Sequence, residues 1–420
     1  MKTKILLWSV VSVLVLAIAA GVWWLLRPQT ITLSDGSTLK LITVSYGKQH
    51  KIPNIKMLRG PRGGTVFRDT NDTLVLWIEQ KQKGNDWPNY QFYAYDKAGT
   101  ACASDWGRSS WQINRGAELV AVRFSAFPRR GGKIYLRIQE WNRQTGRQTV
   151  KNAFVISNPA RGPFPTWFPD SLPDMQSDGD LDVTLNKLVF GVKAPWQRNN
   201  SAPDDAMNKG MQVAFDVQQN GHTVTNWQPV QIETSDATGN HANGYVNTTS
   251  QGGEPETLYQ WGLWPDEPAW KVRVEMSRTS GFTDDELWTV QNIPVEDGKM
   301  HNFWNDDYGG NQSKPAFAET TLNGAHLKIF SVKHFTDQPQ GSQMQGAVQI
   351  QLDKPLDGMR MTLLKVTDDQ GHDIQSWNWG WGGNVYSFGF RELGSTKTVS
   401  FTIALHKSRF VEFMAKPTKQ

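Results

Sequence analysis

Three tryptophans stand at alternate positions near the end of the chain, in the run Trp377-Asn378-Trp379-Gly380-Trp381. In a β-strand all three indoles would project from one face, because side chains alternate between the two faces. An exposed row of indoles can stack on the apolar faces of sugar rings, whereas a buried row would belong to a protein core. The sequence favours the buried alternative. The other interpretation is that Trp377, Trp379 and Trp381 form an exposed surface that binds a glycan or a protein.

Asp178, Asp180 and Asp182 alternate in a short acidic segment. Carboxylates spaced in this way in a loop could bind Ca²⁺, which takes roughly six to eight oxygen ligands. The segment lacks the glycine and the glutamate of an EF-hand loop, and the corresponding segments of the two other repeats described below carry fewer acids. A calcium site formed by these three residues would therefore be specific to the middle repeat. The alternative is a solvated turn, and no other cofactor is expected.

Basic residues are concentrated between Arg129 and Lys151. Residues 28–160 hold 20 Lys and Arg against 9 Asp and Glu, whereas residues 161–300 hold 9 against 20. A basic surface attracts anionic lipid head groups or an acidic polymer, at about 1 kcal/mol per residue near a charged membrane. The alternative, which the sequence favours, is that this basic unit docks on the acidic unit after it. The candidate contact residues are Arg129, Arg130, Lys133 and Arg137.

Motifs for catalysis are missing from the sequence. It contains no Gly-x-Ser-x-Gly elbow and no phosphate-binding Walker loop, and no two histidines have zinc-type spacing. A distant pair of carboxylates for glycoside hydrolysis needs no motif. The sequence therefore favours a non-catalytic role and leaves open whether any unit is an enzyme.

A sequence pattern that recurs at the spacing of a whole domain indicates how the chain is organised around these residues. The pattern Leu39-x-Leu41-x-x-Val44-x-x-Gly47 returns in residues 183–191 and again in residues 327–335, and both offsets, 183 − 39 and 327 − 183, are 144 residues. A period of this length indicates a whole domain used three times.

Each repeat also contains an aspartate followed closely by a glycine. Asp accepts hydrogen bonds from its own turn and Gly adopts positive φ, so both residues favour a tight turn. Alternating apolar and polar residues around these turns predict half-buried antiparallel strands, which are typical of β-sandwiches. The turns are predicted at Asp96–Gly99, Asp236–Gly239 and Asp369–Gly371.

The predicted fold class is all-β, with an N-terminal single transmembrane helix followed by three tandem antiparallel β-sandwich domains. Aromatic residues in a proline-rich linker indicate that this linker packs on a neighbouring unit. The predicted segments are a transmembrane signal-anchor over 1–27, a basic β-sandwich over 28–160, the Pro-rich linker over 161–175, an acidic β-sandwich over 176–300, a linker over 301–315 and a third β-sandwich over 316–420.

Residues 5–26 form an uncharged run. As a helix it would measure about 33 Å, at about 1.5 Å per residue, which is enough to cross a bilayer. Lys2 and Lys4 precede the run and favour a cytoplasmic N-terminus. A cleaved signal peptide is the alternative, but the apolar run continues past the small residues Ala17 and Ala19. We expect a single-pass membrane protein whose bulk is periplasmic or extracellular.

These observations predict a membrane-anchored, envelope-facing, non-catalytic binding or scaffold protein. Its expected partners are the lipid bilayer, through residues 5–26, and an envelope polymer or protein, but no nucleic acid. The alternatives are a carbohydrate-binding or carbohydrate-active envelope protein and a calcium-dependent adhesin-like protein.

Overall fold

The all-β prediction is confirmed: the described chain folds into several β-sheets in a sandwich-like arrangement. The computed structural model describes residues 29–55, 66–83, 90–97, 99–105, 109–141, 148–160, 162–192, 210–245, 247–248, 257–261, 263–300, 303, 315–338, 342, 344–382 and 384–420. Within these ranges, no helix is long and apolar enough to cross a membrane. The predicted anchor, residues 1–27, lies outside them.

The first unit is formed by residues 29–160. Its strands are β1 (Thr30–Thr32), β2 (Thr38–Lys51), β3 (Val66–Lys81), β4 (Tyr90–Tyr95), β5 (Ala101–Ala103), β6 (Ser109–Asn114), β7 (Ala117–Phe124), β8 (Lys133–Trp141) and β9 (Gln148–Ser157). They form one sheet in the order β1-β2-β3-β7-β6 and another in the order β5-β4-β8-β9. Alternate apolar residues of both sheets, such as Leu76 on β3 and Leu136 on β8, are buried in one core.

The second unit begins at residue 174. Its strands in this part of the chain are β10 (Asp174–Asp178), β11 (Leu181–Val192), β12 (Gly210–Gln219), β13 (His222–Thr223), β14 (Trp227–Asp236), β15 (His241–Tyr245), β16 (Asn247–Thr248), β17 (Thr257–Trp261) and β18 (Trp270–Arg278). One sheet contains β10, β11, β12, β17 and β16, with β13 beside β12, and the other contains β15, β14 and β18. The buried apolar cluster of this unit is continuous with that of the first.

The third unit, residues 287–407, follows a short 3-10 helix at Asp284–Glu286. Its strands are β19 (Leu287–Gly298), β20 (Ala318–Leu322), β21 (Ala325–Phe335), β22 (Gly346–Leu352), β23 (Met359–Thr367), β24 (Ser376–Gly382), β25 (Val385–Phe390) and β26 (Thr398–Lys407). Residues 287–294 of β19 pair with β26 and residues 295–298 pair with β21, so this strand joins two sheets. The main core of this unit is a cluster separate from that of the other two.

The last two strands, β27 (Arg409–Ala415) and β28 (Thr418–Lys419), return to the second unit. β27 pairs antiparallel with β18, and β28 pairs parallel with β11. Phe413, which is fully buried, belongs to the core shared by the first two units. Residues 409–420 fall in the range predicted for the third sandwich, but their strands lie in the sheets of the second unit. The third unit is therefore inserted between two neighbouring strands of the second.

The sequence repeat corresponds to a hairpin whose second, longer strand (β2, β11 or β21) contains a β-bulge. In β21 the register with β22 shifts between Ile329 and Val332, and both of these residues are buried. A bulge adds a residue and changes the phase of the alternation. This explains why the apolar positions are spaced by two residues and then by three. The matching shifts in the other units lie at Leu41/Thr43 and Leu185/Lys187.

The three predicted turns form, with one correction. In each, the aspartate N–H donates to the carbonyl oxygen four residues later, and the glycine N–H donates to the aspartate carbonyl oxygen. The aspartate of the third turn is Asp368 and not Asp369, because only Asp368 stands three residues before the glycine, as in the other two turns. The three glycines have φ of 85°, 89° and 84°. We call residues 96–100, 236–240 and 368–372 the first, second and third Asp-turns.

Candidate functional site

Arg129 lies at the junction of the first and second units, where it is 4% exposed. Its guanidinium donates to Asn240 Oδ1 (2.8 Å), to the carbonyl oxygen of Thr238 (3.1 Å) and to the carbonyl oxygen of Asp72 (2.7 Å). The same group lies 4.7 Å from the centre of the Phe127 ring. Burial lowers the pKa of Arg129. This predicted contact residue therefore binds the second Asp-turn inside the molecule.

The second Asp-turn provides the other half of this junction. Asn240 Oδ1 also accepts from the N–H of Phe127 (3.0 Å), and Asn240 Nδ2 donates to Asp236 Oδ2 (3.0 Å). Asp236 is 1% exposed, and burial raises its pKa although Thr238 Oγ1 donates to its carboxylate (2.6 Å). Guanidinium, amide and carboxylate thus form one buried network that connects two units.

Arg130 makes a second contact between these units. Its Nε and Nη2 donate to the two carboxylate oxygens of Glu267 at 2.6 and 2.8 Å, a bidentate pair that raises the pKa of Arg130. The guanidinium also lies 5.6 Å from the centre of the Phe164 ring in the linker. For Arg129 and Arg130, the contacts correspond to docking of the basic unit on the acidic one.

Lys133 and Arg137 lie on β8, away from this junction. Lys133 is exposed. The Arg137 guanidinium lies 4.3 Å from the centre of the Tyr95 ring, and its Nε donates to Asn152 Oδ1 (3.2 Å). Arg137 and the exposed Tyr135 line a shallow cavity of about 540 Å³ on the outer face of this sheet. The structure therefore separates the four predicted basic contacts into two pairs with different surroundings.

The aspartates of the predicted calcium site each accept hydrogen bonds from protein groups. Arg409 Nη1 donates to the carboxylate of Asp180 and to the carbonyl oxygen of Asp178, and Ser177 Oγ donates to Asp182 Oδ1 (2.6 Å). Among the residues that the structure describes, no group of three or more His, Cys, Asp or Glu side chains could hold a metal ion. The observed contacts connect the β10–β11 hairpin to the returning strand β27.

Trp377 lies on β24, which ends the order of strands in its sheet. The residue is half-buried, and its cross-strand partner is Gly389 on β25. A Cβ atom at Gly389 would lie only 2.9 Å from the indole, so the ring packs directly on the glycine. The side chains of Trp379 and Trp381 lie outside the described part of the chain. One indole of the predicted row is therefore packed on its own sheet.

A polar groove of about 570 Å³ opens between the first unit, the linker and the sheet containing β14, β15, β18 and β27. On its floor, Arg273 Nη1 pairs with Glu233 Oε2 (3.3 Å), and Lys271 Nζ pairs with Glu412 Oε1 (2.8 Å). All four side chains are more than a third exposed. We call this cavity the junction groove. It presents hydrogen-bond donors and acceptors side by side.

The linker places Trp167 at the junction groove. Phe164 packs against the shared core on one side of Trp167, and Asp170 forms a β-bridge to β27 on the other. Lys271 Nζ lies 5.8 Å from the centre of the Trp167 ring. The next residue, Phe168, is 80% exposed. The prediction that the linker packs on a neighbouring unit is therefore confirmed for its described residues.

His241 follows the second Asp-turn and also lines the junction groove. Burial lowers its pKa, and its Nδ1 atom is buried with no hydrogen-bond partner in the described structure. His241 and His372 each lie shortly after the glycine of an Asp-turn, but at different places in it. His372 matches Asn240, because both close an Asp-turn at its fifth residue. His241 is one position further along.

Sequence reasoning did not find the junction groove, because its residues come from distant segments. Asn71, Trp167, His241, Lys271 and Glu412 all line it. The alternating polar positions of β14 and β18 indicated an exposed sheet face, but no pattern showed which segments would adjoin it. Comparisons with family models, with curated proteins and with solved structures find no match to this chain.

Proposed function

We propose that this chain is a membrane-anchored, envelope-facing, non-catalytic binding or scaffold protein built from three β-sandwiches. The observation that carries the proposal is the buried network of Arg129 and the second Asp-turn. A buried charge is tolerated only where its hydrogen bonds are made, so the network favours one relative placement of the two units. Such a fixed arrangement suits a protein that holds a binding surface in a defined position.

The junction of the second and third units supports the same role. Arg360 Nε and Nη2 donate to the two carboxylate oxygens of Glu275, each at 2.7 Å, and Nη2 also donates to Gln231 Oε1 (2.9 Å). The side chains of Arg360 and Glu275 are only 13% and 11% exposed. Both junctions therefore use a largely buried arginine. The third unit is also connected to the second by two chain segments, one after β18 and one before β27.

The proposed location rests on the uncharged run at residues 5–26 and on the lysines before it. A run of this length without charge is what a bilayer span requires, and basic residues are retained on the cytoplasmic side. The proposed topology is single-pass, with a cytoplasmic N-terminus and a periplasmic or extracellular bulk.

Cysteine labelling of the full-length chain in a Gram-negative host tests this topology. In a Cys102→Ser background, Lys133→Cys should react with a membrane-impermeant maleimide in spheroplasts, because residue 133 is exposed. The matched variant Lys4→Cys should react only after lysis. The reverse pattern, or recovery of the chain in the soluble fraction, would contradict the proposal.

A carbohydrate-binding role is the second candidate function. The junction groove, with Trp167 beside paired charged side chains, is the observation that favours it.

A further inference from the structure

We infer that the junction groove binds a neutral oligosaccharide, with Trp167 as the stacking platform and the paired charges of its floor as hydrogen-bonding partners. This inference names a ligand class for the binding role proposed above and rests on that role.

The first argument is the placement of an aromatic surface. Trp167 is half-buried and is held between two attachment points, Phe164 and Asp170, so its indole is a fixed part of the groove wall. The apolar face of a sugar ring packs well on such a ring, while hydroxyl groups at its edge reach polar partners.

The second argument is charge. Both cations on the floor already have carboxylate partners, Arg273 with Glu233 and Lys271 with Glu412. An anionic ligand would have to compete with these carboxylates, and a cationic ligand would have to compete with the cations. A hydroxyl group both donates and accepts, so it can bind between the members of a pair without displacing either. The lining therefore suits an uncharged ligand rich in hydroxyl groups.

The third argument is position and size. Small-molecule sites occur preferentially between domains and have volumes of about 300–1,000 Å³. The junction groove lies between the first and second units and has a volume of about 570 Å³. On the first-unit side Asn71 adds an exposed amide, a group that can both donate and accept.

Calorimetry on the detergent-solubilised full-length chain tests the inference. The probes are neutral hexasaccharides of glucose, of mannose and of N-acetylglucosamine, with hexagalacturonate as an anionic ligand of equal length. At least one neutral probe should bind saturably, and the anionic probe should bind about tenfold more weakly or not at all, a factor that corresponds to about 1.4 kcal/mol. If no neutral probe binds, or if the anionic probe binds most tightly, the inference is wrong.

Variants locate the site. Trp167→Ala should weaken binding of the neutral probe by about tenfold, as expected for loss of one aromatic stacking contact. Asn71→Ala, which leaves the linker untouched, should weaken it by about threefold or more through loss of a hydrogen bond. Phe317→Ala removes another aromatic, 46% exposed and in the third unit, and should leave binding unchanged. Equal affinities for the parent, Trp167→Ala and Asn71→Ala would overturn the assignment.

The two proposals can fail separately. Binding by solubilised protein does not depend on where the chain resides, and the maleimide pattern does not depend on any sugar.

Discussion

The second and third Asp-turns have the same backbone hydrogen bonds and opposite surroundings. In the second, Asp236 is buried, and burial raises its pKa. In the third, burial of Asp368 acts to raise its pKa, but hydrogen bonds from the backbone and side chain of His372 and from the Gln370 N–H outweigh this, and the pKa is lowered. The turn's own hydrogen bonds set its shape, whereas its neighbours decide whether it connects two units or faces solvent.

The fifth residue of the turn makes the difference. Asn240 accepts from Arg129 and donates to Asp236, so its amide extends the turn into the first unit. His372 Nδ1 lies 3.0 Å from Asp368 Oδ2, and its side chain is 78% exposed. The fifth position of the Asp-turn is therefore part of the junction between units in the second turn, whereas in the third turn it makes only a contact within the turn.

The largest effect is expected from Arg129→Met. This change removes the charged donor and leaves Asn240 Oδ1 and two carbonyl oxygens with fewer partners in a buried site. The free energy of unfolding of the first two units should fall by roughly 3 kcal/mol, which urea denaturation would measure. Lys133→Met, at an exposed position close by in sequence, is the control and should change it by less than about 0.5 kcal/mol. Similar losses for both variants would show that the network does not stabilise the junction.

Asn240→Ala and His372→Ala compare the two turns at the same position. Asn240→Ala leaves Arg129, the N–H of Phe127 and the Asp236 carboxylate without a shared partner, and it should cost roughly 2 kcal/mol. His372→Ala removes an exposed pair and should cost less than about 0.5 kcal/mol. Urea midpoints of both variants provide the measurement. Equal costs would mean that the turns differ in exposure alone.

Glycine substitutions sharpen the comparison further. Gly239 and Gly371 have nearly the same positive φ, so alanine at either position should cost about 1 kcal/mol through backbone strain. A Cβ atom at Gly239 would also lie 3.0 Å from Arg129 Nη1, whereas one at Gly371 meets nothing within 4 Å. Gly239→Ala should therefore be the more destabilising by a few tenths of a kcal/mol in thermal melts. A larger loss from Gly371→Ala would contradict this assignment.

The smallest expected effect is a dependence on pH. Burial lowers the pKa of His241 and of His406, which lies at the junction of the second and third units with its Nε2 3.2 Å from Ser277 Oγ. The unfolded chain, with an ordinary histidine pKa of 6.5, then binds protons more readily than the folded chain. The stability that depends on these two neutral histidines should be fully present above pH 6.5. It should decline as the pH falls below 6.5 towards their lowered pKa values in the folded chain. Melting temperatures at pH 7.5 and 5.5 measure it, and His241→Phe should reduce the decline whereas His372→Ala should not.

Much of the local structure follows from the sequence. The two-then-three spacing of Leu327, Ile329 and Val332 records a bulge, and Asp followed three residues later by Gly records an Asp-turn. The prediction that the third turn begins at Asp369 was wrong, because two adjacent aspartates precede the glycine. Only Asp368 lies three residues before Gly371, as the aspartates of the other two turns lie before their glycines.

The pairing of strands could not be predicted, because alternation gives the orientation of a strand and not its neighbour. β27 alternates like any half-buried strand, and nothing in it shows that it lies against β18. The burial of Arg129 could not be predicted either, because its partners Asn240 and Thr238 are more than a hundred residues away in the sequence. The junction groove depends on both of these long-range arrangements.

The insertion of the third unit also sets an order for biosynthesis. As the chain leaves the ribosome, β18 pairs on one side with β14, but its other side stays an open sheet edge until residues 409–415 emerge, after the whole of the third unit. A stop codon shortly after residue 407 would therefore leave the last-made unit with all of its strands and would damage the middle one, where Phe413 completes the core.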